Sequence, residues 1–436
     1  MPGTRRVAAG GLPALLVSLS LALAPAAGVS AQEPEALQTQ QSVSIIYGDS
    51  LTFNIQASAE VPLTGARLTV QVAHREEVYS EAVPLTPGIF VELSHTIPVT
   101  ALDLPPFAEF TYYWDFQDEN GGQYRTDPET LRYEDTGVPW EWVVASRGNV
   151  FVHTDGQDET VSRVALEVAI AALTDVSQVT GPPVEDDIHI YVYPELAQLA
   201  GSLRLHGRQV QDWVAAYAIP EQRVILVSAA SGPELTASLQ QDIPHEIAHL
   251  AVYLAAGEHA SGVPGWFNEG LAITSSAEPD PTLRGVLEEA IREQEPVPSL
   301  ESLCVASFSH LSPREATLAY AKSESVMRYL ISRYGLSQVR ALMSGYVDGL
   351  SCEGAVQRAL GVSLADLEQQ WEAELLHDIS RSRRDDISLT PWLIVWVISL
   401  VLASLFIAPQ PSRSGVRSEA EPQAPFSTPS QDRTTG

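Results

Sequence analysis

The sequence predicts an α+β protein: an N-terminal β-sandwich of immunoglobulin or fibronectin type, then a domain with a small sheet and a mostly helical second half, then one transmembrane helix. Three observations predict this. Apolar residues alternate with period two through the first third of the chain, strands and a helix interleave in the middle, and helical spacing prevails from about Glu234 onward. Two apolar runs, one near each end, bracket these regions.

The first of these runs is a targeting signal. Arg5 and Arg6 precede "LPALLVSLSLALAPAAG", and the small-residue ending "VSA" at Val29 to Ala31 follows. A basic start, a short apolar stretch and small residues at its close predict a secretory signal peptide over residues 1–31.

Residues 33–135 carry the sandwich. "LTFNIQA" alternates Leu51, Phe53 and Ile55; "ARLTVQVAH" alternates Leu68, Val70 and Val72; "FTYYWDF" alternates Tyr112, Trp114 and Phe116. Each pattern buries one face of a strand and wets the other. "DENGG" at Asp118 to Gly122 predicts a hairpin turn. Nothing in this region converges as a chemical site.

After "YEDTGVPWEW" the pattern changes, and residues 140–380 read as a second domain. Val150 to His153 and Ile188 to Tyr193 predict strands, with Val161, Val164, Ala165, Val168 and Ala172 at helical spacing between them. "RVILVS" at Arg223 to Ser228 predicts another strand, placed as a candidate edge for an extended peptide.

The formal net charge of −30 argues against nucleic acid as a partner and against docking on an anionic bilayer. Pro391 to Ala408 is apolar and uncharged, so a membrane span is expected at 389–408, with a disordered cytoplasmic tail at 409–436. With the signal peptide, that predicts a single-pass membrane protein whose bulk is extracytoplasmic. The two cysteines, Cys304 and Cys352, are then expected to pair; closing a loop of about 50 residues stabilises by roughly 4 kcal/mol.

The chemistry concentrates in "PHEIAHLAVYLAAGEHASGVPGWFNEGLA", Pro244 to Ala272. His245 and His249 stand four apart, so on a helix both imidazoles project from one face, with Glu246 beside the first. In this H-E-x-x-H pattern the histidines bind zinc and the glutamate is the general base. Pro244 fits only near a helix start or at a kink. Catalytic zinc takes three protein ligands and keeps one position open. Glu258, His259 and Glu269 are candidates for the third. His259 reads as a solvated loop residue, whereas Pro264 and Gly265 break the chain so that a second helix can bring Glu269 back to the pair.

"WFNEGLA" resembles the W-L-N-E-G-x-A of aminopeptidase-N-like enzymes, and "AYAKSESVMRYL" at Ala319 to Leu330 resembles their tyrosine-bearing helix. Residues 140–380 are thus similar to the peptidase MA-like gluzincin family, which implies a zinc-dependent metallopeptidase acting on peptide or protein substrates. The resemblance implies metal ligands at His245, His249 and Glu269, a general base at Glu246, and an oxyanion-stabilising phenol at Tyr320. Two departures stand out. The Gly-x-Met-Glu-Asn segment that holds a free amino terminus in aminopeptidases is absent upstream, and Ile273 stands where thermolysin-like enzymes carry an orienting Asp. The alternative reading is a non-catalytic, membrane-tethered binding or adhesion module on a zinc-binding scaffold.

Overall fold

The structure, a computed structural model, describes residues 37–140, 145–156, 158–182, 185–205, 214–229, 232–276, 281–305, 308 and 310–406. The expected signal peptide and cytoplasmic tail lie outside these residues. The chain divides into two compact units, one reaching to residue 168 and including 185–242, the other formed by 169–184 and everything from 243.

In the first unit the alternating pattern produces strands β1 (Leu37–Ile46), β2 (Ser50–Val72), β3 (Val78–Val83) and β4 (Gly88–Pro98). A single turn of helix, α1 (Val99–Leu102), then leads to β5 (Glu109–Asp118), β6 (Gln123–Arg125) and β7 (Glu129–Arg132). The expected sandwich is instead one curled, seven-stranded antiparallel sheet. The reason is β2. Over Ser50–Ala59 it pairs with β1 and β4, and over Leu63–Val72 with β3 and β5, with register shifts around Leu63. One strand therefore belongs to both halves, and no break separates two sheets. The alternating residues Leu51, Phe53, Leu68, Val70, Tyr112 and Trp114 are all buried, at 0–1% exposure. The turn after β5 is closed by the Asp118 carboxylate, which accepts from the Asn120 and Gly122 amides, and Gly121 takes the positive φ of +85°.

The same unit holds a five-stranded sheet of β8 (Ala145–Arg147), β9 (Val150–His153), β10 (Ile188–Tyr193), β11 (Ala216–Ile219) and β12 (Val224–Ser228). Its order is β11-β12-β10-β9-β8, with β10 parallel to β9 and β12 and buried along its whole length. Helix α2 (Glu159–Thr180) connects β9 to β10, and α3 (Leu196–Leu205) follows β10. The expectation that "RVILVS" forms an edge is corrected here. β11 turns back through Pro220–Arg223, pairs antiparallel with β12 and takes the edge itself. Tyr191, Tyr193, Leu199 and Leu226 share one hydrophobic core with the curled sheet. Trp140 stands edge-on to Tyr191 and Tyr193, so the stretch after β7 is packing material as well as a connection.

The second unit is helical: the C-terminal part of α4 (Leu235–Ala256), then α5 (Gly265–Ser275), α6 (Pro281–Glu293), α7 (Pro313–Tyr334), α8 (Leu336–Val347), α9 (Cys352–Leu360) and α10 (Leu364–Phe406). Helix α7 starts on a capping box: Ser312 Oγ accepts from the Glu315 amide, and Glu315 accepts from the Ser312 amide. Gly270 lets α5 lie directly on α7, since a Cβ there would stand 2.6 Å from the Ser323 carbonyl oxygen. Cys304 and Cys352 form a disulfide, closing a sequence separation of 48 residues. Among the described residues no helix is long and apolar enough to cross a membrane, so the expected span at 389–408 finds no support. The apolar run begins at Pro391 and the described helix ends at Phe406, short of the ~20 apolar residues a span needs.

Candidate metal centre

Helix α4 starts nine residues before Pro244, so the proline is interior rather than near the helix start. Lacking an amide hydrogen, it leaves the Gln240 carbonyl without its ordinary helical donor. Leu239, Ile243, Ile247 and Leu250 form the buried stripe of the helix. His245 and His249 fall on a neighbouring face one turn apart, with side chains 27% and 18% exposed. Glu246, between them in sequence, is buried.

Pro264 caps α5 in an extended conformation, and Trp266 and Phe267 anchor the helix by full burial. That fixes the following turn, where Asn268 and Glu269 stay half-buried. Glu269 Oε2 lies 3.6 Å from His249 Nε2 and 3.9 Å from His245 Nε2, and the two Nε2 atoms are 3.2 Å apart. Three donors about 2.1 Å from one ion at tetrahedral angles lie about 3.4 Å from one another. The observed set fits such an ion, and two imidazoles with one carboxylate suit a divalent transition metal. Among the described residues this is the one group of three or more His, Cys, Asp or Glu donors found within metal-binding reach.

The structure also supplies a residue that sequence reasoning missed. His249 Nδ1 lies 3.1 Å from Asn268 Oδ1. With Nδ1 donating to that amide oxygen, Nε2 keeps its lone pair for a metal. Asn268 immediately precedes the proposed third ligand, and its presence in the N-E-G triplet was the available signal.

Electrostatics reinforce the arrangement. Burial, then the neighbouring His249, pushes the His245 pKa down to about 3, so this imidazole is neutral. For His249 burial pulls downward, but the Glu269 and Glu246 carboxylates and Asn268 outweigh it, and its pKa is raised. Burial raises Glu269, with His249 opposing. Tyr320, half-buried on α7, is pushed up to about 12 by burial and by the charges of Glu269 and Glu246, so its phenol remains a proton donor. The structure therefore brings His245, His249 and Glu269 together, with Glu246 between the two histidines in sequence and the Tyr320 phenol close enough to feel the charges of Glu269 and Glu246. Glu258 and His259 sit instead on a 3-10 turn (Gly257–Gly262), 3.8 Å from each other and exposed.

Residues 168–377 match the family model described as Peptidase MA superfamily, which supports a peptidase MA or gluzincin-like relationship for that part of the chain. No curated protein matches the chain. Among solved structures, OgpA from Akkermansia muciniphila is 14% identical over 22% of this chain and 28% of its own, with a TM-score of 0.19. A carbohydrate-binding module family 56 β-1,3-glucan binding domain is 21% identical over 22% of this chain and 99% of its own, with a TM-score of 0.15. The polysaccharide deacetylase BC0361 from Bacillus cereus is 11% identical over 40% of this chain and 57% of its own, with a TM-score of 0.19. The chain thus spans only part of the length of OgpA and of BC0361, and at these TM-scores none of the three bears on fold or function.

Proposed function

We propose that this protein is a zinc-dependent metallopeptidase that hydrolyses peptide bonds outside the cytoplasm. The observation that carries the reading is the convergence of His245, His249 and Glu269, with donor atoms all within 4.8 Å of one another, beside Glu246 and Tyr320. The match to the peptidase MA superfamily supports a peptide substrate. The Cys304–Cys352 disulfide supports an oxidising compartment, in keeping with the N-terminal signal.

His245, His249 and Glu269 would hold the zinc, and Asn268 would fix the tautomer of His249. When bound there, zinc would supply a water made nucleophilic near neutral pH and polarisation of the substrate carbonyl. Glu246 accepts the proton of the attacking water and returns it to the leaving amine. The Tyr320 phenol, still protonated at neutral pH, donates a hydrogen bond to the carbonyl oxygen as negative charge develops on it.

The test is metal analysis of the full chain together with cleavage of an unbiased peptide library by wild type and Glu246→Gln. One bound zinc is expected in both proteins, with turnover reduced at least about a thousandfold in the variant. Zinc without cleavage by wild type would favour the binding-module reading, and absence of zinc would overturn the site.

A further inference from the structure

We infer that the Cys304–Cys352 disulfide is a positioning element for the metal centre, acting through Phe308 on the Tyr320 ring. The inference rests on the hydrolase reading for its effect on turnover, but its structural part stands apart from it.

The residues beside the disulfide touch two of the three helices that supply the site, α5 and α7; the third, α4, carries the two histidines. Towards α5, the Gly265 amide donates to the Val305 carbonyl at 2.8 Å. A Cβ at Gly265 would stand 2.5 Å from that oxygen and 2.6 Å from the Phe308 ring, so the helix start and these two residues are in direct contact. The neighbouring Trp266 indole donates to Cys352 Sγ at 3.4 Å. Towards α7, Phe308 is 6% exposed and meets Tyr320 edge-on, with ring centroids 5.4 Å apart. Phe308 is therefore wedged between the first residue of α5, the helix that carries Glu269, and the ring of Tyr320.

The disulfide decides where this wedge sits. Cys304 ends a 3-10 turn (Ser302–Cys304), and Cys352 is the first residue of α9. The bond ties the chain that carries Val305 and Phe308 to α9, beside the indole of Trp266. A tyrosine ring turns about two soft torsions, and the packed neighbour on its flank selects among their minima. Without the covalent tie, Phe308 loses its fixed position and the Tyr320 hydroxyl its aim. A dithiol reductant would break the tie: the S–S bond opens, the two cysteine sulfurs take up two electrons and two protons, and the dithiol closes to its cyclic disulfide.

The experiment uses the full chain labelled at tyrosine Cζ, with the Tyr320 carbon resonance assigned by its loss in Tyr320→Phe. Cys304→Ser/Cys352→Ser, and Phe308→Leu with the disulfide intact, should each shift that resonance while tyrosines of the first unit stay in place. Each should also lower kcat about tenfold with KM changed by less than about twofold, and the loss should nearly vanish in a Tyr320→Phe background. If the double cysteine variant does not fold, dithiol treatment of the native chain and Phe308→Leu carry the same measurement. An unmoved Tyr320 resonance, or an equal kcat loss in both backgrounds, overturns the inference. A shifted resonance in a protein that cleaves nothing removes the hydrolase reading and leaves the positioning role in place.

Discussion

His153 and His189 in the first unit approach to 2.9 Å between ring nitrogens, while His245 and His249 in the second approach to 3.2 Å. The spacing is nearly the same and the surroundings are opposite. The first pair lies on adjacent parallel strands, is 1% and 8% exposed, and stacks between Phe151 and Tyr191. Its charged neighbours include the guanidiniums of Arg132 and Arg223. The second pair lies one helical turn apart, remains partly open, and faces the Glu269 carboxylate. On the proposed reading, two close imidazoles do not by themselves make a metal centre. An adjoining anion and an open face make the difference, because the ion brings positive charge that arginines oppose and a carboxylate compensates.

The largest way to break this comparison is to delete one histidine from each pair. His249→Ala should abolish stoichiometric zinc, whereas His153→Phe should retain one zinc per chain, read by metal analysis after dialysis against a weak chelator. A folded His153→Phe protein without zinc would place the ion at the buried pair and overturn the assignment to His245, His249 and Glu269. Next in size is Asn268→Ala, expected to weaken zinc about ten- to a hundredfold in chelator competition, since it removes only the partner that orients His249. Unchanged affinity would remove Asn268 from the site.

The smallest effect sharpens the first pair. Burial, followed by the charge of Arg132, lowers His153 to about 4 and His189 to about 3. In the unfolded chain both titrate near 6.5, so below that pH the unfolded state binds protons that the folded state refuses. The stabilisation is complete above pH about 6.5 and is lost as pH falls towards 4 and then 3. The melting temperature of the first unit should fall across that window, and less steeply in His153→Phe/His189→Phe. An equal slope in the variant would exclude the pair as the source.

What the sequence could show was local. The buried faces around Phe53, Val70 and Trp114 follow from period two, and the bounds of β9 and β10 from runs of strand-forming residues. The i,i+4 spacing that puts His245 and His249 on one face is likewise a property of any helix. What depends on distant pairing was not legible. Alternation is the same whether β2 ends at Ala59 or runs on to Val72, so a curled sheet reads as a sandwich. The hairpin at Pro220–Arg223 hides in an ordinary loop, and with it the strand that displaces β12 from the edge. Asn268 gains its role from a contact 19 residues back in sequence, which no local period encodes.

The length of β2 also bears on how the chain reaches this state. Its partners arrive late: Ser50 pairs with Pro98, and Leu63 waits for Asp118. Such distant pairings make folding slow, because long loops must close before the contacts repay them, whereas most of the helices in the second unit need only nearby residues. A nascent or truncated chain ending before Asp118 would hold β2 with part of an edge unpaired, a template for self-association. The first unit is accordingly expected to fold more slowly than the second, and because its two sheets share one core, it needs β8 to β12 as well as residues 37–132.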